Sequence, residues 1–250
     1  MRLSRRGTGL AVVVALAMAA GPTAAGLERP GSIGVTGATG AVTPDEALTR
    51  LRTGNAAFVD HPDAALPITL AQRNALVDGQ SPFAAVLSCA DSRVPPEVIF
   101  HAGLGELFVV RSAGQVTDRS VLASVEYAAE HLHVPLVVVM GHESCGAVKA
   151  AIETPAGQSL GANLDYLVKA IRPAVARRDK DAAEAASLRA AVLGNVEETV
   201  NHLVDDSEIL AHLLERGEVA IVGAYYELST GRVHFSEVVS SRPALGGGGR

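Results

Sequence analysis

The chain has 250 residues, with 21 Lys and Arg against 27 Asp and Glu, so its formal net charge is −6. This acidic balance argues against a nucleic-acid partner, which requires a basic face to neutralise phosphates. Hydrophobic residues make up 48% of the chain and charged residues 19%. That composition supports a sizeable core and excludes disorder over most of the length. Two cysteines are too few for a disulfide-rich scaffold.

The first 25 residues have the three-part layout of a secretory signal peptide. A cluster of three arginines precedes an unbroken apolar run over residues 10–20, and small residues then offer a cleavage point. A bilayer span needs about 20 apolar residues, so we predict export beyond the cytoplasm, with no stable membrane anchor. Ser4-Arg5-Arg6 partly resembles a twin-arginine signal, the export route of folded proteins, although the usual Phe after the arginine pair is missing.

Composition divides the rest of the chain into three parts. Residues 26–42 are rich in Gly, Thr and Ser and are predicted to form a flexible linker. Residues 43–240 are predicted to be one domain, and residues 241–250 a disordered tail. Thr43 and Pro44 are typical of a helix N-cap and first helical position, so the domain is expected to begin with a helix.

Short apolar runs alternate with helical patterns along the domain. Val-rich runs bounded by Gly, Pro or charge are typical of strands buried on both faces, and their alternation with helices predicts an α/β fold. We expect about four parallel strands flanked by helices, with an antiparallel edge strand over residues 233–238. The predicted parallel strands are 83–87, 107–110, 136–140 and 219–225, and the predicted helices are 44–59, 70–77, 120–131, 147–152, 160–177 and a long stretch from 181 to 215.

Both cysteines follow predicted strands, at the carboxyl ends where sheets of this type bind ligands. Cys89, Asp91 and Arg93 follow the first strand, and His142 and Cys145 follow the third. Two Cys and one His are ligands that Zn²⁺ prefers, and three protein ligands leave a fourth position open for catalysis. A disulfide between the two cysteines is the alternative in an exported protein. It accounts for neither the histidine nor the Asp-x-Arg sequence.

The two motifs Cys89-x-Asp91-x-Arg93 and His142-x-x-Cys145 together resemble the zinc motif pair of the β-class carbonic anhydrases. The similarity runs over nearly all of the chain that follows the predicted linker. It implies one Zn²⁺ per chain on the two cysteines and the histidine. It also implies a catalytic dyad of Asp91 and Arg93, with Asp91 as a fourth zinc ligand in a closed state, and a homodimer or higher homo-oligomer.

Further positions match the plant-like branch of that family and are the predicted substrate-binding residues. Gln80 falls where this branch keeps a glutamine for bicarbonate, and Phe108 and Tyr127 fall where it keeps aromatic pocket residues. Ala113 replaces the usual Val, which implies a slightly wider pocket, and Gly146 follows the second zinc cysteine.

The resemblance implies the reversible hydration of carbon dioxide to bicarbonate and a proton. Zinc lowers the pKa of a bound water, Asp91 is expected to orient that water, and Arg93 to keep Asp91 ionised. Two other functions stay open from the sequence alone. One is hydrolysis of carbonyl sulfide or carbon disulfide at the same centre. The other is non-catalytic zinc or bicarbonate binding, against which the intact dyad counts.

Overall fold

A computed structural model of the protein describes residues 42–66, 68–176 and 182–239. The predicted signal peptide (1–25), the predicted linker up to residue 41 and the predicted tail (241–250) lie outside the described residues. Within the described ranges, no helix combines the length and the apolar character needed to cross a bilayer.

Five strands form a single mixed sheet. Four of them run parallel: β1 (Ala84–Cys89), β2 (Leu107–Ser112), β3 (Leu136–His142) and β4 (Ala220–Tyr226). The fifth, β5 (Val233–Val239), pairs antiparallel with β4. The order across the sheet is β2-β1-β3-β4-β5. The predicted α/β class, with parallel strands and one antiparallel edge strand, is confirmed.

The edge strand β2 departs from the prediction that every parallel strand is buried on both faces. Strands β1, β3 and β4 are buried at every position, whereas residues 107–110 of β2 are only half-buried. The prediction is wrong for β2 because this strand has β1 on one side and no further strand of the described chain on the other.

The first helix, α1 (Pro44–Asp60), begins where its sequence predicts. The Thr43 hydroxyl accepts the Glu46 N–H at 3.3 Å, and the Glu46 carboxylate accepts the Thr43 N–H at 2.8 Å. This reciprocal pair satisfies two amides that the first helical turn would otherwise leave free.

The remaining helices follow the predicted positions closely, with two corrections. The single helix predicted over 181–215 is two helices within residues 184–215, because the Ser207 hydroxyl accepts the Leu210 N–H at 3.1 Å and starts a second helix. The helix at 96–99 was not predicted. The helices are α2 (Leu70–Ala75), α3 (Pro96–Ile99), α4 (Arg119–Glu130), α5 (Gly146–Glu153), α6 (Ala162–Ala176), α7 (Glu184–Asp205) and α8 (Glu208–Glu215), with a 3₁₀ turn at Ala113–Gln115.

The buried side chains lie in three clusters. One is between the sheet and α1 and α3, and a second is between the opposite face and α4, α7 and α8. A third cluster includes Cys89 and Cys145 and packs them against Val148, Ile171 and Val192. The carboxyl ends of β1 and β3 therefore lie against buried apolar side chains.

Candidate metal centre

Three buried side chains meet at the carboxyl ends of two neighbouring strands. Cys89 ends β1, His142 ends β3, and Cys145 directly precedes α5. The two sulfur atoms and a ring nitrogen of His142 lie within 4.8 Å of one another. Because β1 and β3 are adjacent and parallel, the fold brings together the three residues that the sequence singled out as zinc ligands.

The orientation of His142 leaves one ring nitrogen available as a ligand. Its Nδ1 lies 2.8 Å from the carbonyl oxygen of Glu143, which can only accept, so Nδ1 carries the proton. Nε2 is buried and has no hydrogen-bond partner among the described residues. A buried nitrogen lone pair without a partner is costly unless a ligand fills it, so this atom fits a metal ion.

The two cysteines are free thiols, and their environments differ. The side chain of Cys145, with smaller contributions from His142 and the amides of Gly114 and Asp91, lowers the pKa of Cys89 below its ordinary range. The neighbouring Cys89 sulfur and burial raise the pKa of Cys145. Two cysteine sulfurs and a free imidazole nitrogen form a donor set that fits Zn²⁺, which binds cysteine as the thiolate.

Asp91 and Arg93 form a two-point ion pair beside these donors. Nε of Arg93 donates to Oδ1 of Asp91 at 2.9 Å, and Nη2 donates to Oδ2 at 2.7 Å. The Arg93 side chain, through these hydrogen bonds, holds the pKa of Asp91 well below its usual range. Oδ2 of Asp91 also lies 3.9 Å from Nε2 of His142, so an ionised carboxylate borders the metal position.

The turn between His142 and Cys145 is bent by a residue in a left-handed conformation. Ser144 has a φ of 55°, which reverses the backbone between β3 and α5. Its carbonyl oxygen accepts Nη2 of Arg93 at 3.2 Å. Arg93 therefore links the segment after β1 to the segment after β3.

Gly114 supplies a backbone donor that the sequence did not reveal. Its N–H points at Sγ of Cys89 at 3.3 Å. Its φ of 64° favours glycine, and an added Cβ would lie 2.9 Å from Ile171. A larger residue here would displace the amide that stabilises the Cys89 thiolate.

The predicted substrate-binding residues divide into two groups. Ala113 begins the turn after β2 and Gly146 begins α5, so both lie at the metal end of the sheet. The second group lies far from the metal position. Its first member, Phe108, pairs with Ala85, four residues before the Ser112–Cys89 pair, which places it about 13 Å along the strands from Cys89.

Gln80 and Tyr127 complete the second group. Gln80 precedes the whole of β1, which alone spans about 17 Å. The Tyr127 ring lies 6.1 Å from that of Phe108. Within one chain these three residues are not brought to the metal position.

Two residues that contact the site were absent from the predicted set. The main chain of Glu143 orients His142, and Arg111 donates to the carbonyls of Cys89 and Asp91. Arg111 had a readable signal, because it is a charged residue at the carboxyl end of an apolar strand. The role of Glu143 rests on its carbonyl, which every residue type carries.

The sheet is mainly parallel and flanked by helices, and a Cys-His-Cys donor set and an Asp–Arg pair lie at the carboxyl ends of its strands. This combination is typical of a class of zinc enzymes. A carbonic anhydrase family model matches residues 84–233 of the chain. Carbonic anhydrase 2 of Mycobacterium tuberculosis is 40% identical over 194 residues, which cover 76% of this chain and 91% of that protein.

Solved structures agree with this match. The β-carbonic anhydrase CafA of Aspergillus fumigatus has a TM-score of 0.60 at 26% identity, covering 80% of this chain and 92% of that chain. A structure of two tetrameric β-carbonic anhydrases from Sordaria macrospora also gives 0.60, at 25% identity over 76% of this chain and 95% of that one. The chain belongs to the carbonic anhydrase family, in its β class, and is a zinc-dependent enzyme that hydrates carbon dioxide.

Proposed function

We propose that Cys89, His142 and Cys145 hold the zinc ion and that Asp91 and Arg93 are the catalytic dyad of carbon dioxide hydration. The observation that carries this assignment is Nε2 of His142, a buried atom without a partner in a histidine whose ring nitrogen lies within 4.8 Å of both sulfurs. A zinc ion held by these residues would lower the pKa of a bound water and so supply a nucleophile at neutral pH.

Asp91 is proposed to direct the attacking water. Its carboxylate stays ionised because Arg93 donates to both oxygens, so Oδ2 keeps a lone pair that accepts a hydrogen bond but donates none. When Oδ2 accepts a hydrogen bond from the water, it orients the water so that a lone pair points toward carbon dioxide. Since Arg93 binds both oxygens, this geometry favours the open site over one in which Asp91 is a fourth zinc ligand.

The ligand assignment is tested by metal analysis of the purified protein and of Cys145→Ser. We expect one zinc per chain in the parent protein and less in the variant, together with a lower unfolding temperature, because metal binding and folding are linked. Parent protein without zinc and with a Cys89–Cys145 disulfide by mass spectrometry would overturn the assignment.

We also propose that the enzyme is a homodimer, or a higher oligomer built from it, in which two chains share each site. The β2 edge is unpaired in the described chain, and its apolar residues are half-buried. Near it, Leu104 and Tyr127 leave 43% and 46% of their surfaces exposed. An unpaired edge strand with exposed apolar side chains beside it is typical of a surface that pairs with another chain.

Antiparallel pairing of two β2 strands would also complete the site. A twofold axis through the middle of β2 (Leu107–Ser112) would bring the start of one copy's strand beside the end of the other's. Phe108, with Tyr127 against it, would then reach the metal end of the partner copy. This arrangement reconciles the predicted pocket residues with their distance from the metal position within one chain.

We also propose that the protein is exported from the cytoplasm, on the basis of the sequence of residues 1–25. Two zinc thiolates are at risk of oxidation outside the cytoplasm, so folding and zinc loading before export would protect them. That need favours the twin-arginine reading of Ser4-Arg5-Arg6. N-terminal sequencing of protein from the cell envelope or medium tests it: a start near residue 26 is expected, and Met1 would contradict export with cleavage.

A further inference from the structure

Arg111 makes a forked contact with the backbone that follows β1. Its Nε donates to the carbonyl oxygen of Cys89 at 3.0 Å, and its Nη2 donates to the carbonyl oxygen of Asp91 at 2.6 Å. Between them, the N–H of Ala90 donates to the carbonyl of Ser112 at 3.0 Å. Three successive residues, the last residue of β1 and the two that follow it, are therefore bound to the end of β2.

A guanidinium suits this position because of its shape. β1 ends at Cys89, so the carbonyls of Cys89 and Asp91 lie where the regular strand pairing stops. A planar fork donates to both at once with one fixed geometry, whereas an ammonium is a single point of charge on a flexible stem. Arg111 thus fixes the direction of the backbone on both sides of Ala90.

We propose that Arg111 is a positioning residue that acts through Asp91, an inference that rests on the proposed role of Asp91. The backbone of Asp91 is held by Arg111 from β2, and its carboxylate by Arg93, which also reaches Ser144. With the backbone released, the carboxylate loses its fixed distance to the metal position even though its pair with Arg93 remains.

The test uses Arg111→Lys and Arg111→Gln in the zinc-loaded enzyme, with Arg172→Lys as the matched control. Arg172 also donates to two backbone carbonyls, those of Thr154 and Pro155, at 3.2 and 3.4 Å. We expect both Arg111 variants to keep one zinc per chain and to lose ~10–100-fold in kcat, with KM little changed, as is typical for residues that orient a metal site. Arg172→Lys should keep the parent kcat.

Two further measurements separate positioning from a general structural role. Hydrogen exchange followed by mass spectrometry should accelerate in residues 88–95 of the Arg111 variants and stay at parent rates elsewhere. In a double-variant cycle, adding Arg111→Lys to Asp91→Asn should cause no further loss of kcat, because the residue through which Arg111 acts is already disabled.

The outcomes are distinct from those of the proposed function. Parent kcat in both Arg111 variants, full rescue by Lys, faster exchange throughout the chain, or additive losses in the double variant would each overturn the inference. If Asp91→Asn retains full activity, the proposed dyad itself fails. If Asp91→Asn is impaired and the Arg111 variants are not, only the positioning role fails.

Discussion

Oδ2 of Asp91 lies 2.7 Å from Nη2 of Arg93 and 3.9 Å from Nε2 of His142. One carboxylate oxygen therefore faces the guanidinium that keeps it ionised and the histidine that is proposed to bind zinc. The Asp91 side chain is 18% exposed, so the carboxylate is partly shielded from bulk water.

Replacing Asp91 by Asn should lower kcat/KM for carbon dioxide hydration by ~10²–10⁴-fold, the usual cost of losing an acid–base or orienting group. The amide keeps the shape but loses the charge and offers an N–H donor where an acceptor is needed. Stopped-flow hydration assays with zinc analysis check this, with Asp60→Asn at the exposed end of α1 as the control. Parent-like rates at full zinc content would make the dyad structural.

Arg93→Ala is expected to act differently on the same carboxylate. Without its partner, Asp91 is free to bind the zinc ion and occupy the open position, so activity should fall while zinc stays at one per chain. Raising the pH should restore part of the rate, because hydroxide then competes better with the carboxylate for the metal. A kcat/KM profile against pH decides the matter: a uniform loss at every pH would contradict this explanation.

The sequence predicts the parts of this site that depend on side-chain identity, but not those that depend on main-chain atoms. Cys89 and His142 were predictable because each lies at the end of a buried apolar strand, and adjacent parallel strands end at one edge. Side-chain identity carried that signal. The orientation of His142 by the Glu143 carbonyl was not predictable, because any residue supplies the same carbonyl.

In the fold, local sequence patterns were predictive, whereas long-range properties were not. Local patterns located every strand, but the half-burial of β2 depends on the strand order, a long-range property that periodicity does not encode. The break at Ser207 depends on a local capping side chain that lies within a longer run of helix-forming residues. The distance between Phe108 and the metal position likewise follows from strand register, which only the assembled sheet reveals.

The turn between β4 and β5 should confer acid-sensitive stability through Glu227. Its carboxylate pairs with Arg189 at 2.9 Å, His234 at 3.3 Å and the Thr230 hydroxyl at 3.0 Å. Led by Arg189, these contacts lower the pKa of Glu227 from its ordinary 4.5 to about 2. Between those values the unfolded chain binds the proton and the folded chain does not, so stability falls as the pH falls.

Glu227→Gln should therefore lower the unfolding temperature at pH 7, and the difference from the parent should shrink as the pH drops from 4.5 toward 2. Thermal unfolding followed by circular dichroism over this range measures it. Glu153→Gln is the control, since that exposed carboxylate pairs with Lys149 at 3.6 Å, and such surface pairs contribute little. A difference that stays constant down to pH 2 would assign the effect to shape instead of charge.

The shared site predicts complementation between two impaired variants. Asp91→Asn damages the metal end of its own chain, whereas Gln80→Ala, at the far end of β1, should damage only the site of the partner copy. A mixed dimer then has one site with both defects and one site with none, so its activity should exceed that of either parent dimer. Each variant carries a different affinity tag, and doubly tagged dimers are assayed after co-expression.

The mixture of Asp91→Asn with Arg93→Ala is the matched control for this experiment. Both defects lie at the metal end of their own chains, so every site is impaired and no recovery of activity is expected. Recovery in both mixtures, or in neither, would contradict sites built from two chains.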